Sequence, residues 1–122
     1  MNAKFIQDLL NEHGLIFRIT DERQKFDTYK KSKDIAGILE QVASGYLYDE
    51  TGNRVLNYQV EFWGENKDFN QFREIVEDNF PNNIGVENYF IYSQPVEFLD
   101  FHESGGSKKF TARVVFQVVE VI

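Results

Sequence analysis

The chain has 122 residues, 13 Lys and Arg against 20 Asp and Glu for a formal charge of −7, no Cys, 12 Phe and 6 Tyr. That length suits one domain (residues 1–122) with its own core, and 42% hydrophobic with 16% aromatic content excludes a disordered chain. The acidic balance works against a general nucleic-acid binder, which needs clustered cations on phosphates. The lack of Cys rules out disulfides, thiolate catalysis and Cys-based zinc sites.

The start, Met1 to Asp8, turns acidic where a signal peptide carries an apolar run, and no stretch approaches the ~18 apolar residues of a membrane helix. The expectation is a soluble protein with no membrane partner that does not use the ordinary secretory route. Phe5, Ile6, Leu9 and Leu10 recur at helical spacing, so Ala3 to His13 reads as an amphipathic helix with Asn2 as its cap and Gly14 as its stop. Leu15 to Thr20 reads as a strand. Asp21 to Asp34 is polar and charge-rich around Phe26 and Tyr29, and reads as a connection long enough for function or mobility. Its cations Lys30, Lys31 and Lys33 form the densest basic cluster in the chain, read as a solvated loop.

Ile35 to Val42 fits a helix capped by Asp34 or an irregular strand. Gly37 and the shortness of the run favour the strand. After the turn residues Asp49 to Asn53, Leu56, Tyr58, Val60 and Phe62 alternate with Asn57, Gln59, Glu61 and Trp63, the one-sided pattern of antiparallel sheet. Asp68 and Gln71 have capping-box spacing, and Phe69, Phe72, Ile75, Val76 and Phe80 form the stripe of a second helix that Pro81 ends. Tyr89 to Tyr92 is a short strand, Gln94 to Phe101 runs extended, and His102 to Ser107 turns the chain through Gly105-Gly106.

The closing stretch, Lys108 to Ile122, has no Gly or Pro and reads as one long strand. Phe110, Ala112, Val114, Phe116 and Val118 share one face, and Thr111, Arg113, Val115, Gln117, Val119 and Val121 the other. At roughly 3.4 Å per residue, Phe110 to Ile122 would span about 45 Å, enough to cross the domain as its central strand or protrude from it. The apolar end Val119-Val121-Ile122 invites pairing with another chain. The order of elements predicts an α+β domain, a mostly antiparallel sheet with two helices packed on one face.

Chemistry is sparse along this chain. His13 sits at a helix end where a cation is favourable, and His102, between Asp100 and Glu103, offers poor metal geometry in a hairpin. Ser32, Ser44, Ser93, Ser104 and Ser107 lie in no nucleophile motif. Gly105-Gly106-Ser107-Lys108 joins two extended segments, which makes it a turn and not a phosphate loop. No two carboxylates are marked as a pair, so the chain reads as a non-enzyme without metal or cofactor. Tyr46, Tyr48, Tyr58, Trp63, Tyr89 and Tyr92 suit a core margin or protein interface better than a base-stacking platform.

The succession of an N-terminal helix, the strand closing on Tyr58 to Gly64, the helix Phe69 to Phe80, the segment Ile91 to Leu99, a Gly-containing turn and the strand Phe110 to Ile122 resembles the tail terminator proteins of long-tailed bacteriophages, including the group described as minor capsid proteins. Asp21 to Asp34 departs from that pattern. The resemblance implies a small α+β subunit made in the bacterial host cytoplasm and carried in the virion at the head–tail junction. There it forms a ring, commonly a hexamer, on the tail tube protein and meets the head connector protein. Such a role needs no catalytic residue, and an acidic ring would not trap passing DNA. Trp63, Val119, Val121 and Ile122 are the expected contacts between subunits, through strand-edge pairing. Truncation after Val118 is then expected to leave a folded monomer. The competing expectation is a monomeric acidic binding or inhibitor module for a basic protein, with salt-sensitive affinity.

Overall fold

The computed structural model describes residues 3–41, 47–48, 52, 54–79, 84–86, 89–104 and 107–120. Helix α1 (Ala3–Leu10) continues into a 3-10 turn, Asn11–His13, and ends where Gly14 takes φ +96°, a left-handed conformation that costs glycine little. Strand β1 (Phe17–Thr20), helix α2 (Arg23–Tyr29) and strand β2 (Ile35–Gln41) follow. Then come β3 (Leu47–Tyr48), β4 (Arg54–Glu65), a 3-10 turn over Asn66–Asp68 and α3 (Phe69–Asn79). The remainder is β5 (Ile84–Val86), β6 (Tyr89–Ser93), β7 (Glu97–Ser104) and β8 (Ser107–Glu120). Phe80 and Pro81, the expected end of the second helix, lie outside the described residues.

The architecture is α+β. One sheet runs β1-β2-β4-β8-β6-β5, with β3 added to β4 and β7 to β8. The sheet is mixed, because β1 and β2 are parallel while the other pairings are antiparallel. That one parallel pair corrects the reading of residues 21–34 as a polar connection. Parallel neighbours need a crossover of a dozen or more residues, and helix α2 is that crossover. It escaped the periodicity because Phe26 is its one fully buried apolar residue.

The long closing strand is interior. β4 runs beside β8 from Arg54↔Glu120 to Glu65↔Lys109, while the far side of β8 is shared, β7 taking its first half and β6 its second. Its expected apolar face, Phe110 to Val118 in alternation, is buried against Val60 and Phe62 of β4 and against Ile6, Leu10, Phe72, Ile75 and Val76 of α1 and α3. The two expected helices therefore cover one face, and α2 covers part of the other, seating Phe26 on Ala36 and Ile38 of β2. Burying one such Phe contributes roughly 1.5–3 kcal/mol.

Gly64 marks the tightest approach in this core. A β-carbon there would stand 2.8 Å from Cε1 of Phe110, so the absence of a side chain on β4 makes room for the ring across the strand pair. Phe110 in turn touches the rings of Phe69 and Phe72, each at 5.1 Å between centroids.

Candidate functional site

Strand β7 lies at an edge of the sheet: it pairs with β8, and among the described residues no strand pairs with its other side. Its register slips between Phe98 and Asp100, a bulge that leaves Leu99 without an opposite residue on β8. The slip decides what the edge displays. Residues three apart in a regular strand point to opposite faces, yet Phe98 stands opposite Ala112 and Phe101 opposite Phe110, both of which face the core side. Phe98 and Phe101 thus become neighbours, their rings 4.5 Å apart.

This pair is exposed and supported from behind. Phe98, Leu99 and Phe101 are 41%, 39% and 55% exposed, while Phe98 meets the edge of Phe69 at 5.4 Å, and Phe69 continues through Phe110 into the buried rings. Apolar groups held on such a scaffold lose little freedom when covered, which is the property of an interface anchor. Acidic side chains alternate with them. Glu97 is held by Arg113 at 2.8 Å, Asp100 accepts the backbone N–H of Phe101 at 2.8 Å, and Glu103 is exposed.

The other face of the same hairpin is polar and internally tied. His102 stacks on Trp63 with centroids 4.8 Å apart and planes 26° apart, and the Lys30 ammonium lies 5.1 Å from the Trp63 ring and 4.9 Å from Phe26. Nearby, Glu65 takes Lys67 at 3.2 Å and the largely buried Lys109 at 3.8 Å. Across β4 and β8 the cross-strand neighbours Trp63 and Thr111 bury Nε1 and Oγ1 without a hydrogen-bond partner among the described residues. A shallow cleft lies at the end of the hairpin, lined by Asn66, Phe101, His102, Glu103 and Lys108.

The expected contact residues fall in different places. Trp63 is half-buried, committed to His102 and to the α2 side of the molecule. Val119 is half-buried and its backbone is laddered on both sides, to Val55 and to Phe90, so it has no free strand edge. Val121 and Ile122 lie outside the described residues. A cut after Val118 would also remove ladder partners of Arg54, Val55, Tyr89 and Phe90, so loss of assembly in that truncation would not report on an interface alone.

Of the other residues singled out, His13 is exposed at the end of its 3-10 turn. Ser32 donates to the Tyr29 carbonyl and accepts the Asp34 N–H, which shapes the turn after α2. Tyr58 packs against the core; Tyr46 and the side chains of Tyr48, Tyr89 and Tyr92 lie outside the described residues. Ser104 pairs with Ser107, and Gly105 and Gly106 lie outside the described residues. Among the described residues, no three His, Asp or Glu side chains are grouped to hold a metal ion, and no helix is long and apolar enough to cross a membrane.

The exposed edge went unread because a regular strand through Gln94 to Phe101 separates the two phenylalanines. The sequence signal available was the spacing itself: Phe98-Leu99-Asp100-Phe101 breaks the alternation, and a bulge is one way to restore it. No family model and no curated protein matches the chain.

Proposed function

We propose that this chain is a structural subunit that assembles with copies of itself through the β7 edge, as a ring of the tail-terminator kind. The carrying observation is the exposed Phe98–Leu99–Phe101 group on an edge strand, backed by the rings of Phe69 and Phe110. Rigid apolar groups clustered on an edge strand that lacks a second partner among the described residues favour a protein partner over a small substrate. In this reading the ring, commonly hexameric, seats on the last ring of a phage tail tube and presents its other side to the head connector in the virion. The excess of negative charge is compatible with DNA passing without being held.

The experiment is negative-stain imaging of the purified chain, alone and mixed with tail tubes. Closed rings of uniform diameter, or caps at one end of the tubes, are expected. A chain that stays monomeric and leaves the tubes bare overturns the proposal and moves the reading to an acidic binding module.

A further inference from the structure

We infer that the acidic β7 edge of one copy packs against the basic β1 side of the next, so that subunits join head to tail; this rests on the self-assembly reading above. Among the described residues, the large apolar side chains that stand exposed are Phe98, Leu99 and Phe101 of β7, together with Ile16, 61% exposed, just before β1. They occupy the two ends of one line across the sheet. Arg18 of β1 pairs with Ala36, Ala36 with Trp63, Trp63 with Thr111, and Thr111 with Asp100 of β7. The two patches are therefore level with each other, roughly 19 Å apart at the spacing of neighbouring strands.

Their charges are opposite. Around the β7 group stand Glu97, Asp100 and Glu103, of which Glu97 is neutralised by Arg113 and Glu103 lies opposite the exposed Lys108, leaving Asp100 as the carboxylate with no cation across the strand. On the β1 side, Arg18 is bonded to Asp34, and the turn that leads into Ile35, the backbone partner of Ile16, carries the exposed Lys31 and Lys33. The Ile35 N–H donates to the Ile16 carbonyl at 2.9 Å, which fixes the lysine-bearing turn beside that exposed side chain. Two β7 edges brought together would instead set Asp100 and Glu103 of one copy near those of the other, and like charges across a strand pair destabilise it. The self-complementary dimer is thus disfavoured and the heterologous contact favoured, the kind that closes into rings or grows into filaments. The contact is made by side chains. The outward N–H and C=O of Phe17 are held by Asn11, and the N–H of Ile19 by Gln7, so these groups of β1 are already taken and do not extend a ladder.

The test is a charge exchange read by light scattering over a concentration series, with far-UV circular dichroism to confirm folding. Lys31→Glu with Lys33→Glu makes both ends acidic; Asp100→Lys with Glu103→Lys makes both ends basic. Each double variant alone is expected to need about tenfold or more protein to assemble. Their equimolar mixture, in which every acidic end can find a basic one, is expected to recover assembly. Ile16→Asp, which touches neither set of charges, is expected to weaken assembly as well. If the wild type assembles while the double variants assemble like it, or their mixture shows no recovery, the head-to-tail contact is overturned and self-assembly stands. A wild type that never leaves the monomer overturns both.

Discussion

Strands β1 and β7 both lie at edges of the sheet, each with a row of backbone groups and no strand beyond among the described residues, and they meet that problem differently. At β1 the first helix lies alongside and its amides substitute for a neighbour: Asn11 accepts from the Phe17 N–H at 2.6 Å and donates to its carbonyl at 3.2 Å, and Gln7 accepts from the Ile19 N–H at 2.9 Å. At β7 the strand carries a bulge, exposed aromatic rings and carboxylates. Helix α3 meets it through the Phe69 ring and, just before the strand, through Glu77, which accepts the Val96 N–H at 3.4 Å, with no side chain shown on the outward backbone of the bulge among the described residues. An edge whose backbone is taken by side-chain amides can meet another chain only through its side chains. An edge that presents apolar rings on a stiff support is suited to something outside the chain.

That contrast can be broken from the inside first. Phe110→Ala removes the ring on which Phe69 and Phe72 rest and leaves the space above Gly64 empty. A loss of about 3–5 kcal/mol in urea unfolding is expected, with assembly impaired because the support of Phe98 goes with it. Asn11→Ala should cost about 1–3 kcal/mol, since the Phe17 N–H and C=O lose their partners. It should also make β1 sticky: irregular aggregates are expected in light scattering on warming, unlike the uniform species proposed for β7. Gly64→Ala forces Phe110 to move and should cost about 1–3 kcal/mol in the same unfolding measurement. The smallest effect belongs to Arg113→Ala, which breaks an exposed pair with Glu97 worth about 0.2–1 kcal/mol. High salt should reduce that difference.

The closed part of the molecule was legible in the sequence and the open part was not. Alternation along Phe110 to Val118 and the stripe Phe69, Phe72, Ile75 and Val76 are long-range periodic patterns, and burial of one face produces them directly. Gly14 marked a real helix stop for a local reason, its positive φ. Helix α2 was hidden because a helix seated by little more than one Phe leaves no stripe, and because the parallel pairing of β1 with β2 that requires a crossover is a non-local fact. The bulge at Leu99 was hidden because it changes the facing of Phe98 and Phe101 without changing composition. Trp63 sits on the sheet face where alternation put it, yet the residues that cover it, Lys30 and His102, come from distant parts of the chain, so no local pattern could show it as covered.

The most direct test of β7 as the assembling edge is the mass in solution of Phe101→Ser beside the wild type, each over the same concentration series and each with its melting temperature recorded. Phe101 is 55% exposed, so its replacement should change stability little, within about 1 kcal/mol. The expected result is an unchanged fold with assembly shifted strongly toward the monomer. A variant that forms the same large species at the same concentrations as the wild type would contradict the assignment of β7 as the assembling edge.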